Sequence, residues 1–456
     1  MTYPNLNDFN GGHLIAGRNH TLDEELWSES RAIRYYSCAP ITYGIELQFL
    51  IPVLIQGRPD PNPDDPRKVI FVNVDATTTY SQVEDIVTQN ILHVLRGQVQ
   101  VPATTHLGPP FPTREAFAQL DQESQAVSDM GAYEQWIVTT DKSLVPENDQ
   151  FLEHYDWIGV KVKSNKRDMS NPDHFDQVGR VIEALRANFR VRLPPTTSLF
   201  IHVGEAFRDE REWQDGPRHL RAFCTMWWFL ERYVLQLAHP SRRTHPECLP
   251  LREHSRIAQG LEDLDLEKHE MHPSNFAHMY QQMQYIVPLL TGQEMDIIKS
   301  FWKAKDAAII CQRMTVPATQ WVDVGWGVKL PRPTEARGSV GFSGFCRWGL
   351  RSSINLHNNG HTGTFEFRSM ESTLDPLPII NWLAVVTRLY DFSRRGNTGD
   401  ILGILQKALA FEPQYSGVQL LQDLGLPVQA EYFQAKIERQ PTTLMEDFNT
   451  LFVPVK

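Results

Sequence analysis

The chain has 456 residues, of which 41% are hydrophobic and 22% are charged, and this composition is typical of a globular protein with a large core. Its formal net charge is −11, from 44 basic and 55 acidic residues. The sequence has neither the basic excess nor the basic stripe of a nucleic-acid-binding protein, so we expect no nucleic-acid partner.

No segment resembles a membrane or export signal. The opening residues, MTYPNLNDFNGGHL, lack a basic stretch followed by an apolar one. The longest apolar stretch, residues 45–55, contains Glu46, Gln48 and Pro52, and it is too short and too polar to cross a bilayer. The five cysteines are scattered and form no CxxC pair. We therefore expect a cytoplasmic protein with no membrane partner and no disulfide framework.

The hydrophobic pattern divides the chain into three parts. Residues 1–38 are polar and are predicted to form an irregular leader. Residues 39–396 alternate between strand and helix patterns, and they are interrupted by a polar insertion at 100–132 with one weak helix near 113–127. Residues 397–456 are predicted to be a tail of small helices. No internal repeat and no low-complexity linker separates these parts.

The large middle part is predicted to be an α+β domain. Period-two patterns predict strands, and helical spacing of apolar residues predicts helices. In chain order, the expected elements are a strand from residue 42, a strand at 69–74, a helix at 83–95, strands at 136–140 and 157–164, a helix from 171, a strand at 198–204, a helix at 217–238, mostly helix at 255–312, strand at 338–368 and a helix from 375. The Gly-rich segment at 338–344 lacks the lysine of a P-loop and is predicted to be a flexible turn.

Four of these strands carry apolar side chains on one face and charged or histidine side chains on the other, since successive strand side chains alternate. A single sheet would present this second set together on one open face, where it suits a phosphorylated or carboxylated ligand: Glu46, Lys161, Lys163, His202, Glu366 and Arg368. An ordinary antiparallel sheet with one solvated face alternates in the same way, and that interpretation stays open for each strand.

Six short motifs in the same order resemble those of the amidoligases found widely in fungi, which are glutamine synthetase-like carboxylate–amine ligases. They cover about residues 42 to 392, and each alone is weak. The motifs are Gly44-Ile45-Glu46-Leu47-Gln48-Phe49, Trp136-Ile137-Val138 with Asp141, Ser143 and Leu144, Gly159-Val160-Lys161-Val162-Lys163-Ser164, Phe200-Ile201-His202-Val203-Gly204, His239-Pro240-Ser241-Arg242-Arg243, and Glu366-Phe367-Arg368-Ser369-Met370-Glu371-Ser372-Thr373-Leu374-Asp375 with Trp382.

The resemblance implies a curved, mainly antiparallel sheet with helices packed on one face. It also implies an enzyme, in fungal specialised metabolism, that activates a small carboxylic acid with ATP and Mg²⁺ and joins it to an amine. Carried onto this sequence, the residues implied are Glu46, Lys161, His202, Glu366 and Arg368 for catalysis, Lys163, Arg351 and Arg368 for the nucleotide, Gln48, Asp141, Phe200, Met370 and Glu371 for the substrate, and Glu46, His202 and Glu366 for an incomplete metal set.

The chain departs from the family pattern within this same set. Gln48 and Lys161 stand where the family has glutamates, Phe200 and Met370 stand where it has histidines, and Asn165 stands where it has a proline. Three explanations stay open. The lysines replace the charge of the metal and contact the ligand directly, or ATP use has been lost in a repurposed enzyme or metabolite-binding protein, or a Lys–Glu pair replaces the metal only structurally.

Overall fold

The computed structural model describes residues 40–74, 77–105, 135–144, 146, 154–171, 173–205, 218–261, 281, 283–304, 307–323, 329–342, 364–395, 398–449 and 451–453. Over these residues the protein is a mixed α/β structure with an open, mostly antiparallel sheet and helices. The predicted leader at 1–38, the weak helix at 113–127 and Arg351 lie outside the described residues.

The larger sheet has nine strands in the described part of the chain, in the order β10-β11-β7-β1-β5-β4-β3, with β2 and β6 paired to β1. The pairs β1–β2 and β3–β4 are parallel, and the others are antiparallel. A separate hairpin joins β8 to β9. The strands are β1 (Ile41–Ile55), β2 (Ile70–Val72), β3 (Ala103–Thr104), β4 (Trp136–Thr140), β5 (Asp156–Lys163), β6 (Arg167–Asp168), β7 (Ser198–Glu205), β8 (Val316–Asp323), β9 (Lys329–Ala336), β10 (Val340–Gly341) and β11 (Phe365–Glu371).

Ten α-helices occur among the described residues: α1 (Tyr80–Val94), α2 (Asp173–Asn188), α3 (Arg218–Val234), α4 (Leu251–His254), α5 (Gly292–Lys303), α6 (Ala307–Met314), α7 (Pro376–Arg395), α8 (Thr398–Ala410), α9 (Gly417–Asp423) and α10 (Pro427–Asn449). A π-helical turn, Leu95–Val99, extends α1, and 3₁₀ turns occupy Pro240–Thr244, Met283–Tyr285 and Val287–Leu289. The Thr79 side chain caps α1 reciprocally with Gln82, and Thr291 does the same for α5 with Glu294.

The main core lies between one face of the sheet and helices α1, α2, α3 and α7. Leu47 and Phe49 of β1 are fully buried there. The ring of Trp227 on α3 lies 5.6 Å from that of Phe367 on β11, at 67°, which is a favourable edge-to-face arrangement. The odd-numbered residues of β1 therefore face the helices, as the alternation in the sequence predicts.

The opposite face carries a second, smaller apolar cluster at the far end of β1, which the sequence analysis did not predict. Leu50 and Leu54 pack there with Leu144, Tyr155 and Trp157. The C-terminal residues Leu451 and Phe452 pack against this cluster. The sheet is therefore covered on both faces near the carboxyl end of β1, and the polar side chains are confined to its first half.

The C-terminal clamp, which we define as Leu451–Val453 with its contacts, is fixed by polar groups as well. The Val453 amide donates to the carbonyl of Val191 at 2.7 Å, and its own carbonyl accepts from Nη1 of Arg67 at 2.5 Å. The Phe452 ring lies 5.9 Å from the Arg67 guanidinium and 5.7 Å from that of Arg190. The tail is thus not only a set of small helices: it includes the 23-residue α10 and this clamp.

Most predicted elements of the middle part are present. The predicted strands at 136–140, 157–164 and 198–204 correspond to β4, β5 and β7, and the helices predicted at 83–95, 217–238 and from 375 correspond to α1, α3 and α7. The Gly-rich segment does not remain a turn throughout, because Val340 and Gly341 pair with β11. Among the described residues, no helix combines the length and the apolar character needed to cross a membrane.

Candidate functional site

The strand register brings the polar residues of four strands to one surface, which we call the polar face. Glu46 of β1 lies opposite Lys163 of β5 and opposite Phe200 of β7. Two residues earlier on β1, Gly44 lies opposite His202 of β7, which in turn lies opposite Glu366 of β11. Directly opposed residues in antiparallel strands point to the same side, so these side chains share one face.

Glu46 is the centre of this face, with 4% of its surface exposed. One oxygen, Oε2, lies 2.9 Å from the ammonium of Lys163, and the other, Oε1, lies 3.6 Å from that of Lys161. Burial alone would raise the pKa of this carboxyl, but the two ammonium groups outweigh it and hold the pKa below its usual value. Glu46 is therefore an ionised carboxylate that bridges two lysines.

Asp141 completes the ion pairs of Lys161. Its Oδ2 lies 2.7 Å from the Lys161 ammonium, and its Oδ1 accepts from the amide and hydroxyl of Ser143. The turn that carries Asp141 crosses β5 directly above Gly159. A Cβ at Gly159 would lie 2.2 Å from the Asp141 carbonyl oxygen, so only glycine permits this close approach.

Glu366 and Arg368 form a second ion pair at the β11 side of the face. Nη2 of Arg368 donates to Oε2 of Glu366 at 2.7 Å, and the guanidinium lies 5.9 Å from the centre of the Phe200 ring. Burial disfavours the charge on Glu366, yet Arg368 and His202 hold its pKa well below the usual range. A Cβ at Gly341 would lie 2.6 Å from Nη2 of Arg368, so the glycine makes room for the guanidinium.

Lys163, His202 and Glu366 keep open hydrogen-bonding capacity. Lys163 is the most exposed of the charged residues in these ion pairs, with 34% of its side chain accessible, and it uses one proton on Glu46. Within the described residues, His202 makes no hydrogen bond and Oε1 of Glu366 has no donor. Among the described residues, these three groups carry the open hydrogen-bonding capacity of the polar face.

Two other predicted site residues belong to the supporting structure around the face. The side-chain oxygen of Gln48 accepts from the Ser198 backbone amide at 3.0 Å, and its side-chain nitrogen donates to Oε1 of Glu46 at 3.5 Å. Phe200 is 1% exposed and supports the Arg368 guanidinium. Neither side chain has the exposure expected of a residue that contacts a substrate.

The last two predicted substrate residues lie apart from the polar face. Met370 is fully buried in the main core, because a bulge between Phe367 and Met370 shifts the register and pairs it with core-facing Leu199. Glu371 forms a buried ion pair with Lys436 of α10 at 2.5 Å and accepts from the His239 amide at 2.9 Å. That pair joins the tail to the sheet.

The sequence predicts no role for Arg242, although one of the six motifs contains it. Arg242 is fully buried in the 3₁₀ turn Pro240–Thr244, and its Nη2 donates to the carbonyl of Arg368 at 2.9 Å. Its Nε and Nη1 have no partner among the described residues. The sequence shows only an arginine in a polar turn after a helix, and the burial of that arginine depends on tertiary contacts.

Glu231 of α3 was missed for a similar reason. It is 1% exposed, and it accepts from the backbone amides of Leu251 and Arg252, each at 2.8 Å, from the Trp227 indole at 3.2 Å and from the Ser339 hydroxyl. Burial raises its pKa. This carboxyl holds Ser339, whose carbonyl accepts from the Arg368 amide at 2.9 Å, so it helps to position β11.

The donor set of the polar face does not fit a divalent cation. Both oxygens of Glu46 contact ammonium groups, and Oε2 of Glu366 contacts Arg368. Across the described residues, no group of three or more His, Cys, Asp or Glu side chains is arranged to hold a metal ion. At 4 Å, repulsion between two like unit charges is about 4 kcal/mol at an effective dielectric constant of about 20. The double charge of Mg²⁺ would double the repulsion from each ammonium group.

Comparisons of this chain with protein-family models, with curated proteins and with solved structures found no match.

Proposed function

We propose that this chain is an amidoligase-like protein, with a glutamine synthetase-like sheet, whose polar face binds a small carboxylic acid without a divalent metal. The observation that carries the proposal is the bridging of both Glu46 oxygens by Lys161 and Lys163, at 3.6 and 2.9 Å. The ammonium groups occupy the positions around this carboxylate that a metal would need. They also supply the positive charge that an anionic ligand requires.

The charge balance of the face favours a small, specific ligand over a highly charged one. In the ion pairs of the described residues, three carboxylates, from Glu46, Asp141 and Glu366, balance three cations, from Lys161, Lys163 and Arg368. A ligand with several negative charges would meet these carboxylates without a metal to neutralise it. A single carboxylate can contact Lys163, which has unused protons, and leave the other pairs intact.

ATP-dependent amide formation between a carboxylic acid and an amine is the second candidate. It is favoured by the arrangement of Glu46, His202 and Glu366 on adjacent strands of one antiparallel sheet. These are residues that the family resemblance assigns to catalysis and to the incomplete metal set. In this candidate the lysines would act on phosphate directly, as compact point charges do.

Calorimetry distinguishes the two candidates. Metal-free protein would be titrated with acetate, glycolate and ATP, each with and without MgCl₂. The proposal predicts that a carboxylate binds with an affinity that Mg²⁺ does not change, and that ATP shows no Mg²⁺-dependent binding. Lys163→Met should abolish carboxylate binding. Lys299→Met is the matched control, because Lys299 is an exposed helix residue whose ion pair, among the described residues, is with Asp296.

ATP binding in either condition would support the ligase: binding that needs no Mg²⁺ would mean that the lysines contact phosphate directly, and binding only with Mg²⁺ would overturn the metal-independent proposal. Absence of carboxylate binding, or unchanged binding in Lys163→Met, would remove the polar face as a carboxylate site.

A further inference from the structure

Gly44 leaves a space in the middle of the polar face that the fold does not require. Its backbone is extended within β1, so no left-handed conformation demands glycine. A Cβ there would meet only ordinary contacts, with Cβ of His202 at 3.9 Å and with Oγ of Ser164 at 4.0 Å. Gly44 is half-buried rather than covered. We call this solvent-reached space the Gly44 hollow.

The groups with open hydrogen-bonding capacity surround this hollow. His202 lies opposite Gly44 in the register, and Glu366 lies opposite His202 on the next strand. Lys163 projects from the other side, opposite Glu46. The strands β5 and β11 are separated by three strand spacings, about 14 Å between backbones, and long side chains reach inward from both. The two charged side chains therefore approach the hollow from opposite sides.

The hollow combines donors with one open acceptor. The unused protons of Lys163 and a ring nitrogen of His202 suit a carboxylate. A bare carboxylate, however, would face the negative charge of Glu366 across the hollow. A hydroxyl or ammonium on the neighbouring carbon changes that contact into a hydrogen bond to Oε1 of Glu366.

We propose that the Gly44 hollow binds the carboxylate of a small α-hydroxy or α-amino acid through Lys163 and His202, with Glu366 accepting a hydrogen bond from the α-substituent. This inference rests on the proposed function and narrows its ligand class. It assigns His202 to ligand recognition and gives Gly44 the role of making room.

The test follows the imidazole Cε1–H resonance of His202 by NMR in metal-free protein, assigned by its loss in His202→Gln. The probes are glycolate, glycine and acetate. Glycolate or glycine should shift this resonance saturably, and acetate should bind at least about ten-fold more weakly, because it leaves the charged acceptor of Glu366 unpaired. Equal affinity for acetate and glycolate would overturn the α-substituted ligand class while leaving the carboxylate site of the proposed function.

Two glycine substitutions test the location. Gly44→Val fills the hollow with a residue favourable in strands, and it should abolish the shift of the His202 resonance. Gly44→Ala adds one methyl group in ordinary contact and should weaken binding while the protein folds normally. Gly97→Ala is the matched control, because a Cβ there meets nothing within 4 Å and should leave binding unchanged.

Unchanged binding in Gly44→Val would overturn the hollow as the site. So would the absence of any His202 shift while calorimetry still detects a bound carboxylate, since the acid would then bind elsewhere. Absence of binding in both experiments would instead count against the proposed function itself.

Discussion

Replacing Glu46 with glutamine should destabilise the fold, because it leaves two ammonium groups around a neutral side chain. At an effective dielectric constant of about 20, the attraction of Glu46 to Lys163 at 2.9 Å is roughly 6 kcal/mol and that to Lys161 at 3.6 Å roughly 5 kcal/mol. The desolvation of the carboxylate, which the variant no longer suffers, offsets much of this sum.

Removal of one partner from a buried ion pair costs about 3 to 5 kcal/mol. Lys163 is one-third exposed and can turn toward water, and Lys161 keeps Asp141 at 2.7 Å. We therefore expect Glu46→Gln to lower the free energy of unfolding by about 3 kcal/mol, at the lower end of that range. The assay is urea unfolding at neutral pH, followed by circular dichroism.

A double-mutant cycle with Lys163→Met isolates the pair, and the coupling energy between the two sites should exceed about 1 kcal/mol. Asp296→Asn is the matched control: it breaks the exposed pair with Lys299, 3.0 Å long, and should cost at most about 0.5 kcal/mol. A loss in Glu46→Gln no larger than that of the control would refute the description of Glu46 as a buried bridge.

Three further predictions concern the surroundings of the face. Gly159→Ala should destabilise the protein by at least about 2 kcal/mol, because the added Cβ would lie 2.2 Å from a backbone oxygen. Gly403→Ala on α8 is the control: its Cβ meets nothing within 4 Å, and it should stabilise the protein by up to about 1 kcal/mol. Equal effects of the two variants on chemical unfolding would contradict the close approach at Gly159. The hydrogen bond from the Arg190 guanidinium is the main cause that lowers the pKa of Asp60 to about 2. The stabilisation of the fold by ionised Asp60 is therefore present above about pH 4 and is lost as the pH falls toward about 2. The difference in unfolding free energy between the wild type and Asp60→Asn should shrink over that range, and a constant difference would argue against the ion pair. Phe452→Ala should lower the free energy of unfolding by about 2 kcal/mol and increase hydrogen exchange in the C-terminal clamp. Phe411→Ala, at a site 61% exposed, is the control and should be nearly neutral. No change in exchange in Phe452→Ala would mean that Phe452 does not fix the C-terminal residues to the sheet.

Periodicity predicted the polar face because it is a local property of each strand. Glu46, Lys161 and His202 alternate with apolar neighbours that the core needs, so their side of the sheet follows from the sequence once the strands are recognised. The register that sets Glu46 opposite Lys163 could not be predicted, because it depends on pairing between strands far apart in the chain.

The features that the sequence did not predict depend on the three-dimensional packing of the chain and not on a local pattern. Met370 follows a bulge, and one extra residue moves the next side chain to the other face of the sheet, so simple alternation places it wrongly. The burial of Arg242 and Glu231 depends on long-range packing of the 3₁₀ turn and of α3 against β11. The C-terminal clamp is a three-residue contact with a distant cluster, and its sequence, LFV, carries no pattern long enough to interpret.

In the proposed function, two lysines take the place of a divalent cation on the polar face. Titration of metal-free protein with Mn²⁺, followed by electron paramagnetic resonance, tests this most directly in the wild type and in Lys161→Glu. The wild type should leave Mn²⁺ free in solution, while Lys161→Glu should bind it, because the variant exchanges a repelling ammonium for a carboxylate beside Glu46 and Asp141. Stoichiometric Mn²⁺ binding by the wild type, lost on Glu46→Gln, would contradict the claim.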